Sequence, residues 1–90
     1  MSEPREVKIK RLHMRSIRRG IKEMDLILTD YATRHMPHLS DDDLELYDQF
    51  LAEYDHDIYG WITKQDAFPT RYAKIMDVIM RDAKGLTKPG

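Results

Sequence analysis

Five apolar residues, Ile17, Ile21, Met24, Leu28 and Tyr31, recur at 4-3-4-3 spacing, and that rhythm constrains the fold more than any other feature. Side chains three or four apart share one helical face. The run therefore predicts a helix from about Ser16 to His35, with the narrow apolar stripe of a bundle member. Pro37 ends it, because proline cannot donate a hydrogen bond to the preceding turn. Nowhere do apolar and polar residues alternate as they would along a half-buried strand.

The rest of the chain follows the same period. A basic first segment, about Arg5 to Arg15, carries Val7, Ile9, Leu12 and Met14 as its apolar members. A third helix starts at Ser40, a good cap, with Asp41, Asp42 and Asp43 on the positive end of the helix dipole. Leu39 and Leu44 form a hydrophobic staple across that start, and Leu44, Tyr47, Phe50, Leu51 and Tyr54 make up the inward face. A short fourth helix fits Asp57 to Thr63, capped by Asp55 or Asp57, with Ile58, Trp61 and Ile62 turned in. The fifth follows Pro69 and Thr70 and points Tyr72, Ile75, Met76, Ile79 and Ala83 inward, until Gly85 with Leu86 ends it. Met14, Met24, Met36, Met76 and Met80 read as core filling. The expectation is an all-α protein, a compact antiparallel bundle of about five helices. A single domain over residues 1–86 would be followed by a disordered tail at 87–90.

Charge is segregated. Residues 1–23 hold eight Lys/Arg against three Asp/Glu, residues 24–66 two against eleven, and residues 67–90 five against two. Basic ends and an acidic middle either create a field that orients a partner or pair with each other inside the fold. A third use, binding nucleic acid through Lys8, Lys10, Arg11, Arg15, Arg18 and Arg19, has no helix-turn-helix signature behind it, and the acidic middle opposes it. The chain has no cysteine, hence no disulfide framework and no thiolate metal site, which fits a reducing compartment. Nothing resembles a signal peptide or a transit peptide, and no apolar run approaches the roughly 20 residues needed to cross a bilayer. A bacterial cytoplasm suits these features, or the mitochondrial matrix for a processed eukaryotic protein, with no direct membrane insertion.

The element that stands out chemically is Arg19-Gly20-Ile21-Lys22-Glu23, an RGxxE sequence heading the apolar stripe. At helical spacing Arg19 and Glu23 lie on one face. Gly20 either leaves that face bare for close approach or forms the turn between the first two segments. A donor fork, a bare patch and an acceptor describe a docking surface rather than a catalytic site. Met24 lies next to this face, and Arg11, Arg15 and Tyr59 are candidate supporting contacts. Other candidates are weaker. His35 and His38 lack a third ligand for a metal. Asp41 to Asp43 lack the glycine and terminal glutamate of a calcium loop. Asp55 and His56 have no nucleophile or oxyanion donor beside them.

Three blocks carry a family resemblance: Arg18 through Asp25, Leu39 through Leu44, and Asp55-His56-Asp57-Ile58-Tyr59-Gly60-Trp61-Ile62. In order and spacing the chain resembles the small succinate dehydrogenase assembly factors that promote covalent flavin attachment. The resemblance implies a five-helix, monomeric, non-enzymatic protein that binds the flavoprotein subunit of succinate dehydrogenase, and in some members of fumarate reductase. It implies that FAD is the partner's cofactor and that Arg19, Gly20 and Glu23 form the docking element; this sequence shows no glycine-rich phosphate loop, so no tightly bound FAD is expected here. Two positions depart from the family pattern: His56 stands where proline is usual, and Gly60 where an acid or amide is usual.

Overall fold

The computed structural model describes residues 3–17, 19–64 and 66–87, with side chains described up to residue 82. Five helices follow in order: α1 (Arg5–Ser16), α2 (Lys22–Arg34), α3 (Asp41–Leu51), α4 (Asp55–Thr63) and α5 (Ala73–Thr87). Single 3-10 turns at Met36–His38 and Thr70–Tyr72 lead into α3 and α5, and no strand occurs among the described residues. The all-α expectation holds. α1 packs on α2 and α3, while α5 packs on α2 and α4.

Aromatic rings connect the layers. Tyr31 of α2 meets Tyr47 of α3 at 4.9 Å between centroids, and Phe50 meets Tyr72 edge-on at 5.2 Å. Trp61 of α4 closes on both Phe50 and Tyr72. Tyr47, Phe50, Tyr72, Met24, Leu28 and Ile58 are all completely buried. One polar contact is buried with them. Ser16, the last residue of α1, donates to the Leu12 carbonyl at 2.8 Å, so its oxygen accepts from the Tyr47 hydroxyl at 2.7 Å. That bond satisfies the buried phenol, whose pKa burial pushes well up.

Ser40 caps α3 as expected, accepting from the Asp43 amide at 3.1 Å. Several other expectations need correction. The apolar stripe does not belong to one continuous helix: α1 runs to Ser16, the chain turns, and α2 begins only at Lys22. Met14 is 63% exposed and Val7 51%, because these residues, seven apart, lie opposite the face of α1 that carries Leu12 and Ser16. Tyr54 is 81% exposed rather than inward. α3 stops at Leu51, and Tyr54 is the extended residue before α4, so the α3 period no longer governs it. α4 begins at Asp55 without a side-chain cap, two residues before the expected start. α5 continues through Gly85 to Thr87 rather than ending there. The expected inward side chain of Ala83, like residues 88–90 of the tail, lies outside the described residues.

Gly60 of α4 is buried beneath Asp66, and a Cβ there would come within 2.5 Å of that carboxylate. The chain after α4 folds back so that the amides of Lys64 and Asp66 both donate to the Gly60 carbonyl.

The segregated charges meet inside the molecule. Arg5 pairs with Asp41, Lys8 with Glu45, and Arg11 and Arg15 with Asp48. Partners ascend together in sequence, so α1 and α3 lie parallel in register. At the end of α2, His35 Nε2 sits 2.7 Å from Asp82 and joins that helix to α5. Burial raises the Asp48 carboxyl, but the hydrogen bonds from Arg11 and Arg15 outweigh it and hold the group below its usual range. His35 holds Asp82 down in the same direction. Both pKa values are depressed in the folded state, so the unfolded chain binds more protons in acid. Their stabilisation is complete above about pH 4 and is lost as pH falls through the folded values. Urea unfolding followed by tryptophan fluorescence should therefore show stability dropping below about pH 4, and Asp48→Asn should flatten that acid limb.

Candidate docking surface

The turn from α1 to α2 lies against the junction of α3 and α4, and a single side chain joins them. Arg19 reaches back so that its guanidinium donates to the Arg15 carbonyl at 2.9 Å and the Leu51 carbonyl at 3.2 Å. These carbonyls belong to the last turns of α1 and α3, where backbone acceptors lack helical partners and the dipole favours a cation. The same guanidinium grips Asp55, with Nε at 2.9 Å and Nη2 at 2.6 Å from Oδ1. Oδ2 of Asp55 accepts from the Gly20 amide at 3.1 Å. Asp55 is the first residue of α4, where a carboxylate suits the positive helix end. Asp25, in the first turn of α2, accepts from the Arg19 amide and secures the other side of the turn.

The RGxxE residues are thus arranged differently from the single helical face expected. Arg19 and Gly20 precede α2, while Glu23 sits in its first turn. The Arg19 side chain is only 12% exposed and fully engaged within the protein. Glu23 is exposed and has no side-chain partner among the described residues. Of the two geometries open for Gly20, the structure adopts the turn, and its φ lies outside the left-handed region. What the position demands is proximity: a Cβ would touch Asp55 Oδ2 at 3.4 Å.

Beside this turn lies an open groove of ≈ 460 Å³, lined by Gly20, Ile21, Tyr54, Asp55, His56 and Asp57. Its walls combine an exposed phenol ring, a partly apolar floor and two carboxylates. Such a surface accepts hydrogen bonds from a partner and packs an aromatic edge against it. Tyr54 was missed from the sequence because it falls one helical step beyond Leu51. The available signal was the acidic start Asp55-His56-Asp57, which places Tyr54 in the joint between helices.

Other sequence candidates lie elsewhere. Met24 is completely buried beneath α2 and offers no surface. Tyr59 is half-buried against the core and does not line the groove. Arg11 and Arg15 are committed to Glu3 and Asp48, and the side chain of Arg18 lies outside the described residues. Among the described residues no three His, Cys, Asp or Glu side chains converge as a metal site would require. His35 is occupied by Asp82.

The family model described as the flavinator of succinate dehydrogenase matches residues 10–83. A mitochondrial succinate dehydrogenase assembly factor 2 from Meyerozyma guilliermondii is 42% identical over 87 residues, covering 91% of this chain and 64% of that protein. A protein of the same name from Debaryomyces hansenii is 39% identical over 88 residues, covering 92% and 62%. One from Saccharomyces cerevisiae is 43% identical over 63 residues, covering 70% and 39%. The chain spans less than two thirds of the length of these relatives.

The Gly20 geometry yields a stability prediction. A methyl group at 3.4 Å is ordinary contact and the backbone is unstrained, so Gly20→Ala should shift unfolding free energy by less than about 1 kcal/mol in urea titrations. Destabilisation well beyond that would contradict the described turn.

Proposed function

This chain belongs to the flavinator of succinate dehydrogenase family, and on that premise we propose that it is an assembly factor for a flavoprotein. It docks on the flavoprotein subunit of succinate dehydrogenase, and on that of fumarate reductase where present, and promotes covalent attachment of FAD there. The observation that carries this reading is the open groove beside Gly20, flanked by an exposed Tyr54 and followed by an exposed Glu23. It offers shape and acceptors for a protein surface without an acid/base or nucleophilic set.

The chemistry of linkage then resides in the flavin and the acceptor histidine of the partner. The assembly factor acts by binding one conformation of the immature subunit more tightly than others, which raises the fraction in which flavin and histidine meet. Gly20 keeps the groove wall beside Asp55 free of a side chain, Glu23 accepts from the partner's donors, and Tyr54 packs at the rim. The protein acts as a monomer, turns over no substrate and holds no FAD of its own. It works in the mitochondrial matrix of a eukaryote, consistent with the mitochondrial relatives, or in the cytoplasm of a bacterium. No described helix is long and apolar enough to cross a membrane.

The competing use, a basic segment for nucleic acid, loses support from the charge pairing. Lys8, Arg11, Arg15 and Arg19 already face carboxylates of this protein, which among the described residues of that set leaves Lys10 to displace counterions from a phosphate backbone.

Gly20→Arg and Glu23→Ala should each remain folded and helical yet lower covalent flavin on the partner in cells lacking the native factor. Flavin fluorescence that survives denaturing electrophoresis measures this directly. Full flavinylation with both variants would overturn the docking surface.

A further inference from the structure

The hydrogen bonds of the turn assign a role to a residue outside the RGxxE element. We infer that Asp55 is the positioning residue of the docking groove, and that Arg19 acts with it from inside the fold instead of reaching the partner. This inference rests on the docking reading above and specifies how that surface is held.

Asp55 is the only residue that touches both the side chain of Arg19 and the backbone of Gly20 among the described residues. One carboxylate oxygen takes the guanidinium and the other takes the amide, so the two contacts fix both the distance and the tilt of the turn relative to α4. Arg19 in turn ties Asp55 to the ends of α1 and α3. Removing either partner frees the other: without Asp55 the guanidinium keeps only two carbonyls, and without Arg19 the carboxylate loses its charge partner. The groove walls, Gly20 and Ile21 on one side and Tyr54 to Asp57 on the other, are the two segments this contact spans. Arginine in this motif is suited to the task because its planar fork serves three acceptors at once, which an ammonium cannot do in the same geometry.

A direct partner contact and an internal clamp predict different couplings. Arg19→Ala, Asp55→Ala and the double variant are compared in binding to the unflavinylated flavoprotein subunit and in flavinylation yield. If the two act as one unit, each single change weakens binding by about tenfold, and the double variant is within about threefold of either single one. Arg19→Lys behaves nearly as Arg19→Ala, whereas removal of an exposed charge by Asp77→Asn has no effect. Losses that multiply, giving about a hundredfold for the double variant, would show that Arg19 reaches the partner independently and overturn the assignment.

A second readout needs no partner. The Gly20 amide of an exposed turn owes its protection to Asp55, so Asp55→Ala should speed its hydrogen exchange by about tenfold or more while the Ile79 amide of the core is unchanged. Unaltered Gly20 exchange would refute the clamp itself. Failure of the unmodified protein to bind any such subunit would instead refute the docking reading, and the exchange result would still decide whether the clamp exists.

Discussion

Opposite charges on α1 and α3 set the alignment on which the rest of the molecule is built. Arg5, Lys8, Arg11 and Arg15 climb one flank of α1 beside Asp41, Glu45 and Asp48 of α3. Each exposed pair contributes only about 0–1 kcal/mol, far less than burying a ring such as Phe50, at roughly 1.5–3 kcal/mol. The ladder is therefore a device of specificity. Because the rungs recur at one-turn spacing, a slip by one turn would still bring Lys8 near Asp41 and Arg11 near Glu45, so the ladder selects which flanks of the two helices meet and leaves their register to the buried contacts. The charge imbalance of the sequence is explained by this pairing rather than by an external field.

The ladder's last rung differs from the others. Arg19 is no longer on a helix, and its guanidinium occupies the space where α1 and α3 both end. Helix ends normally leave carbonyls to water. Here a single cation serves two of them and is neutralised by the first residue of α4. The arrangement turns three separate helix termini into one rigid corner, and the groove is the outer surface of that corner. Rigidity at such a place would favour the proposed docking, because a preordered surface loses less entropy on binding.

The helices themselves were legible because their periodicity comes from burial that the fold retains: Met24, Leu28 and Tyr31 on α2, and Leu44, Tyr47, Phe50 and Leu51 on α3, all face inward as their spacing demands. The caps of Ser40 and the stop near Pro37 were equally local. Misreading arose where periodicity runs across a boundary. Ile17 and Ile21 extend the α2 rhythm back through a turn, and Tyr54 extends that of α3 into a joint. A period of 3.6 cannot show where a helix stops when the flanking residues happen to be apolar. The RGxxE element was visible as a motif, but its geometry was not. The partners of Arg19 lie 32 and 36 residues away, at Leu51 and Asp55, and only the folded arrangement brings them together.

Gly60 and Asp66 carry a consequence for how sequences of this kind diverge. With the carboxylate of Asp66 resting where a β-carbon would stand, a side chain at position 60 and the present rotamer of Asp66 exclude each other. The obstacle is only the tip of an exposed side chain, so it can swing into solvent at little cost. The two positions can therefore change in either order, and a bulkier residue at 60 asks of its neighbour no more than a new rotamer.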